Sequence, residues 1–172
     1  MSGDAAAAAQ QQIRDALSWY CRGVDRLDGE VMKRGFHPGA ELYDYGADPL
    51  TIEQFAEYAP ASLSRKFTAT QHRSSNTLGE FDDDDPASGA ALVETYVLAF
   101  HVEAVDADEN TPDLLHTFNG RYIDRFTEVD GRWRIAKRTL RNDWSSVAPI
   151  ESTMSGDWPA SGRAGSPDPL TA

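Results

Sequence analysis

The stretch GRYIDRFTEVDGRWRIAKR, residues 120–138, decides the fold. Two runs rich in Val, Thr, Tyr, Phe and Trp flank the dipeptide Asp130-Gly131, and both residues of that dipeptide tolerate the positive φ that a two-residue hairpin turn requires. The stretch therefore predicts two antiparallel strands. Counting outward from the turn places Asp124 opposite Lys137 and Ile123 opposite Arg138.

The rest of the second half has the same character. Segments 67–81, 90–105, 114–129 and 132–144 are rich in β-branched and aromatic residues, and polar, Gly- or Pro-bearing breaks separate them. This pattern predicts an antiparallel sheet.

The first half is mainly helical. Apolar residues recur at steps of three and four over 6–27, which is typical of a helix with one buried stripe: Ile13, Leu17, Tyr20, Val24 and Leu27. A short helix is expected at 30–36 and a strand at 41–45. Thr51 and Gln54 predict a capping box for a third helix, which Pro60 ends at about residue 59. Helices followed by a sheet indicate the α+β class, with the helices on one face of the sheet and room for a pocket.

Size and charge limit the function. The 172 residues fit one domain, assigned to 1–148, followed by a tail at 149–172 whose Pro, Gly and Ser content predicts disorder or wrapping around a neighbouring subunit. The net charge of −12 disfavours nucleic acid and anionic membranes as partners. No apolar run approaches the roughly 18 residues of a membrane span. Cys21 is the only cysteine, which indicates a reducing, cytoplasmic setting.

The chain lacks the common signatures of metal and cofactor chemistry. Its four histidines are scattered without metal-ligand spacing, and it has no GxGxxG, GxxxxGK[ST] or GxSxG sequence. We therefore expect no metal and no cofactor, and chemistry that depends on proton transfer alone.

Three short motifs resemble those of the SnoaL-like members of the nuclear transport factor 2-like superfamily. These motifs are Tyr20 with GVDR at 23–26, QHRSSN at 71–76, and the hairpin stretch ending at Arg138. The resemblance covers about 11–144 and implies a cone-shaped α+β fold with a curved antiparallel sheet. This superfamily includes scytalone dehydratase, bile acid 7α-dehydratase and hexachlorocyclohexane dehydrochlorinase.

The resemblance also implies roles for particular residues. Asp25 matches a carboxylate that orients a catalytic histidine, and His72 matches that histidine, the base that removes a substrate proton. Tyr20 matches an active-site tyrosine of the dehydratases, and Arg138 matches an arginine near the leaving group. Each has a simpler alternative: a surface carboxylate near Arg22 and Arg26, a structural histidine, a core-filling tyrosine and a charge-balancing arginine.

The substrate-binding residues are less constrained by sequence. The middle strand 90–105 offers Glu94, Tyr96 and His101, and we rank Glu94 and Tyr96, which share one face, above His101. The aromatic residues Trp19, Phe55 and Phe118 are candidates for the wall of a pocket that takes a hydrophobic, ring-bearing molecule such as a steroid or aromatic polyketide.

The predicted function is a cofactor-independent dehydratase, a lyase that eliminates water through the pair His72–Asp25. Two alternatives stay open: an isomerase of the ketosteroid type, and a non-catalytic module like the small subunit of ring-hydroxylating oxygenases. The resemblance further implies a homo-oligomer, with a trimer favoured.

Overall fold

A computed structural model describes residues 3–105 and 111–150 of the chain. Its helices are α1 (Gly3–Arg26), α2 (Gly29–Lys33) and α3 (Ile52–Lys66), and its strands are β1 (Phe36–Tyr43), β2 (Leu50–Thr51), β3 (Ala69–Phe81), β4 (Ala90–Glu103), β5 (Asp113–Val129) and β6 (Arg132–Ile150). Two short 3₁₀ turns, Asp82–Asp84 and Pro86–Ser88, connect β3 to β4. The α+β class predicted from the order of elements is confirmed.

The long helix α1 buries four of the five residues of its predicted stripe; the fifth, Leu27, lies beyond the end of the helix at Arg26 and is only partly buried. Ile13, Leu17, Tyr20 and Val24 are each less than 5% exposed and belong to the main hydrophobic core. Burial of such side chains stabilises the fold by about 1.5–3 kcal/mol each. This packing fixes the last turns of α1 against the sheet, and with them the position of Asp25.

Helix α3 begins as predicted but ends later. The capping box of Thr51 and Gln54 is present, yet the helix continues through Pro60 to Lys66, so the expected end near residue 59 is wrong. Pro60 cannot bond the carbonyl of Ala56, and that carbonyl instead lies against Gly29, where a Cβ would overlap it. The helix continues because the residues beyond this point still pack on the core.

The strands form one six-stranded sheet in the order β2-β1-β6-β5-β4-β3. The four long strands are antiparallel, as predicted, but β1 runs parallel to β6, so the sheet is mixed. Strand β1 begins at Phe36, earlier than the expected 41–45, and the expected short helix ends at Lys33. Strand β3 lies at the edge of the sheet.

The hairpin register differs from the count outward from Asp130-Gly131. Val129 pairs with Arg132, as a two-residue turn requires, but a bulge between Arg125 and Phe126 on β5 shifts the pairing by one residue. Asp124 consequently lies opposite Arg138, not Lys137. A bulge of this kind turns a later set of side chains to the other face of the sheet, and here it brings a carboxylate opposite an arginine in the core.

Strand β6 continues to Ile150, so Pro149 and Ile150 belong to the sheet and not to the expected tail at 149–172. The remainder of that tail lies outside the described residues. No helix in the described part of the chain is long and apolar enough to cross a membrane.

Candidate active site

Asp25 and His72 form a close pair. The Asp25 carboxylate on α1 lies 2.7 Å from Nδ1 of His72 on β3, and it also accepts the backbone N–H of His72 at 2.9 and 3.1 Å. Strand β3 is an edge strand, so this amide has no neighbouring strand on its outer side, and the carboxylate takes that place. The two side chains are 16% and 10% exposed, which leaves the pair partly screened from water.

This geometry sets the orientation and the tautomer of the imidazole. A carboxylate bound at Nδ1 favours the tautomer with the proton on Nδ1, which leaves the lone pair on Nε2 at the other side of the ring. The carboxylate also stabilises the imidazolium that forms when Nε2 takes a proton. This arrangement has the geometry that an oriented general base requires.

His72 faces a cavity of about 250 Å³ between the helices and the inner face of the sheet. The described lining is apolar except for hydroxyl groups and two imidazoles, and it contains no Asp, Glu, Lys or Arg side chain. It consists of Tyr20, Val24, Tyr45, Phe55, Tyr58, Ala59, Ser62, Leu63, His72, Ala99, His101, Phe118, Tyr122 and Leu140. Of the residues predicted for the wall, Phe55 and Phe118 lie in it.

Two tyrosine hydroxyls meet at the cavity. The hydroxyl of Tyr20 lies 3.1 Å from that of Tyr45, and the ring of Tyr20 stacks on Phe55 and makes an edge contact with Tyr122. Burial raises the pKa of Tyr20 well above its ordinary value, and burial also raises the pKa of Tyr45. Both phenols consequently remain neutral near pH 7, and in the contact between them one hydroxyl donates to the other.

Arg138 lies behind this wall and does not line the cavity, so the structure does not place it at a leaving group as the resemblance implied. Its guanidinium is fully buried and makes two hydrogen bonds, 2.7 and 2.6 Å, with Asp124. It packs 3.9 Å from the ring centroid of Tyr122 and 4.4 Å from that of Tyr20. Burial acts to lower the pKa of Arg138, but the charge and hydrogen bonds of Asp124 outweigh it and raise that pKa.

The ranking on the middle strand is wrong. Along β4 the odd-numbered residues from Ala91 to Ala99 are buried, so His101 falls on the inner face and lines the cavity. Its ring lies edge-on to His72, with 5.2 Å between centroids. Glu94 is on the outer face, paired with Arg121 at 2.9 Å, and Tyr96 is 46% exposed there.

Trp19 also lies outside the cavity. Its indole packs beneath the guanidinium of Arg34, 4.8 Å from the ring centroid, in a separate groove. In a helix, neighbouring residues point about 100° apart, so the burial of Tyr20 turns Trp19 away.

Several cavity residues were not found from sequence. Tyr45 lies in the loop after β1, because that strand ends at Tyr43 and not at the expected residue 45. Tyr122 was not singled out within the hairpin stretch. His101 was named as a candidate but ranked too low. It is an even number of residues from Thr95, Val97 and Ala99, which are buried, and therefore lies on the same face of β4.

The site and fold together define a class: a small α+β domain whose sheet and helices enclose an apolar cavity, with His72 in its wall and Asp25 bound to the Nδ1 side of that histidine. The chain belongs to the SnoaL-like domain family, whose pattern matches residues 5–139. The expected membership of the nuclear transport factor 2-like superfamily is thereby confirmed.

Solved structures agree with this assignment of the fold. A protein of Novosphingobium aromaticivorans provisionally described as a scytalone dehydratase is 21% identical, with a TM-score of 0.69 over 87% of this chain and 94% of that one. The hexachlorocyclohexane dehydrochlorinase of Novosphingobium barchaimii is 18% identical, with a TM-score of 0.69 over 92% and 100%. A Novosphingobium aromaticivorans protein provisionally described as an aromatic ring hydroxylase is 17% identical, with a TM-score of 0.62 over 81% and 92%. A comparison with curated proteins finds no match.

Proposed function

We propose that the protein is a cofactor-independent lyase that eliminates water from a small, uncharged, ring-bearing molecule. The observation that supports this most directly is the 2.7 Å contact between Asp25 and Nδ1 of His72 in the wall of an apolar cavity. The names of two structurally similar proteins, a dehydrochlorinase and a provisional scytalone dehydratase, both denote eliminations.

The reaction balances without an oxidant or reductant. Nε2 of His72 removes a proton from a carbon that a neighbouring carbonyl makes acidic, and the C–H electron pair forms the C=C bond as the C–O bond breaks. The leaving hydroxide takes the proton back from the His72 imidazolium, so that water departs and the neutral imidazole is restored. In the contact between Tyr20 and Tyr45 one hydroxyl donates to the other, which leaves one O–H free to donate a hydrogen bond to an oxygen that gains negative charge. Arg138 packs on the rings of Tyr20 and Tyr122 on the side away from the cavity, so it affects the reaction only by holding these tyrosines in position.

The cavity also favours one class of substrate. Its volume of about 250 Å³ is below the ~300–1,000 Å³ typical of sites for drug-sized ligands, which favours one or two rings over the four of a steroid. A carboxylate on the ligand would meet no cationic side chain among the described lining residues, and an unpaired buried charge costs several kcal/mol.

A suitable probe is 3-hydroxy-1-tetralone, because loss of water from this β-hydroxyketone gives 1-naphthol, which absorbs and fluoresces. The expected result is enzyme-dependent formation of naphthol in the native protein and its loss in His72→Gln, with binding of 1-tetralone retained. Unchanged turnover in that variant would rule out the proposed base.

The substrate class is tested separately by comparing the binding of a tetralone carboxylate with that of its methyl ester. Tighter binding of the carboxylate would contradict the proposal that the substrate is uncharged, but not the proposed elimination.

An isomerase would use the same His–Asp pair without losing water. Mass spectrometry of the product separates the two reactions, because only elimination removes the mass of one water.

A purely structural module, suggested by the similarity to a provisional ring hydroxylase, has no need of an oriented base and would bind or convert no ring-bearing probe.

A further inference from the structure

A second concave surface lies between the middle of α1 and the turn of the β5–β6 hairpin. We call it the arginine groove and define it by Arg34, Arg132, Arg134, Trp19, Asp15 and Gln12. Its volume is about 380 Å³, and it shares no lining residue with the cavity that contains His72. The groove is therefore a separate feature of the molecule.

Main-chain contacts hold its walls in place. The N–H of Ile135 donates to the carbonyl of Gly35 at 3.0 Å, and Gly35 lies so close to the carbonyl of Ala16 that a Cβ would overlap it. On the other side, the N–H of Trp133 donates to Oε1 of Gln12 at 2.9 Å. The three arginines consequently extend from backbone segments that are fixed relative to one another.

The charges in this groove are not balanced within the described residues. The other four arginines of β5 and β6 each form an ion pair with a carboxylate: Arg121, Arg125, Arg138 and Arg141. Arg34, Arg132 and Arg134 form no ion pair with any carboxylate in 3–105 and 111–150. Asp15 is the single acidic residue of the lining, and its carboxylate accepts a hydrogen bond from Gln11. Three like charges converge here on a chain whose net charge is −12.

We propose that the arginine groove binds a small oxyanion, a carboxylate or phosphate ester carried on an aromatic ring. The guanidinium groups of Arg132 and Arg134 leave the same side of β6, two residues apart, and each offers the paired donors that match a carboxylate or phosphate. Trp19 supplies a partly exposed indole as an aromatic wall. The overall negative charge repels long polyanions, so the groove selects a small ligand rather than a nucleic acid.

The experiment titrates the full-length protein with phenyl phosphate, isophthalate and inorganic phosphate, and uses benzyl alcohol as the uncharged control. Binding is followed by isothermal calorimetry and by the indole N–H signals of Trp19 and Trp133 in NMR spectra. We expect saturable binding of the two ring-bearing anions, weaker binding of inorganic phosphate and none of benzyl alcohol. Comparison of phenyl phosphate with isophthalate shows which oxyanion the groove prefers.

The variant Arg132→Gln/Arg134→Gln should weaken this binding by about tenfold or more, because hydrogen bonds to charged groups are lost. Arg65→Gln removes the same charge from an exposed site on α3 and should leave binding unchanged. If the double variant does not fold, Arg34→Gln alone carries the test. The proposal is overturned if no anion binds saturably at millimolar concentration, if benzyl alcohol binds as well as phenyl phosphate, or if Arg65→Gln weakens binding as much as the groove variant.

Discussion

Asp25 binds a single residue, His72, at both its backbone and its ring: the carboxylate accepts the main-chain N–H at 2.9 Å and contacts Nδ1 at 2.7 Å. The backbone contact fixes the strand against the end of α1, and the ring contact fixes the imidazole. The position of the imidazole and its tautomer therefore depend on the same carboxylate.

The first prediction separates these two effects. Asp25→Asn keeps an oxygen that can accept the N–H of His72, but it removes the charge that stabilises the imidazolium. We expect kcat for tetralone dehydration to fall by about 10²–10⁴-fold, with 1-tetralone binding and the circular dichroism spectrum unchanged. Asp4→Asn removes a charge from an exposed position on the same helix and serves as the control. Turnover as high in Asp25→Asn as in Asp4→Asn would show that this carboxylate does not assist the base.

The second prediction concerns the buried ion pair. Asp124→Asn leaves the guanidinium of Arg138 charged and fully buried, so we expect the free energy of unfolding to fall by about 3–5 kcal/mol in urea denaturation. The exposed pair of Asp82 and Arg125 provides the matched control, since Asp82→Asn should change stability little. Equal losses in the two variants would show that burial does not decide the contribution of the pair.

The third prediction follows from the single thiol. Burial raises the pKa of Cys21 to about 11, so at pH 8 the folded chain holds about a hundredfold less thiolate than an unfolded one. Alkylation by iodoacetamide should therefore be at least that much slower in the native protein than in urea. The folded state retains this proton at pH values where the unfolded thiol loses it, so the contribution of Cys21 to stability falls as pH rises from about 9 to about 11. Equal alkylation rates with and without urea would contradict the burial.

The fourth prediction concerns the approach of α1 to α2. A Cβ at Gly23 would overlap the backbone nitrogen of Met32, so Gly23→Ala should force the end of α1 away from α2. We expect a loss of about 1–3 kcal/mol in the free energy of unfolding and a fall in kcat, because Asp25 follows two residues later. At Gly46 no atom lies within 4 Å of the added Cβ, and Gly46→Ala should be neutral in both measurements. An unchanged kcat in Gly23→Ala would show that the position of Asp25 tolerates this shift.

Much of the sheet could be predicted because local signals determine it. The alternation of side chains and the Asp130-Gly131 turn give the four long strands, and the steps of three and four give α1 with its buried stripe. The approach of Asp25 to His72 was implied by the resemblance, which recognises the two positions without needing their distance.

The remaining errors concern interactions between distant segments. The bulge at Arg125 and Phe126 depends on packing across the sheet, so a count from the turn could not place Asp124 opposite Arg138. The continuation of α3 through Pro60 depends on contacts with α2 and the core, which outweigh the local preference of proline. The direction of Tyr45 depends on a loop whose path only the folded chain determines.

The edge position of β3 has a consequence for solubility as well as for chemistry. An outermost strand with open amides can recruit a strand from another molecule and begin a fibrillar aggregate. In this protein the Asp25 carboxylate that contacts the His72 ring also accepts one of those amides, the N–H of His72. Removal of this carboxylate would thus also leave an amide of the edge strand open to intermolecular strand addition.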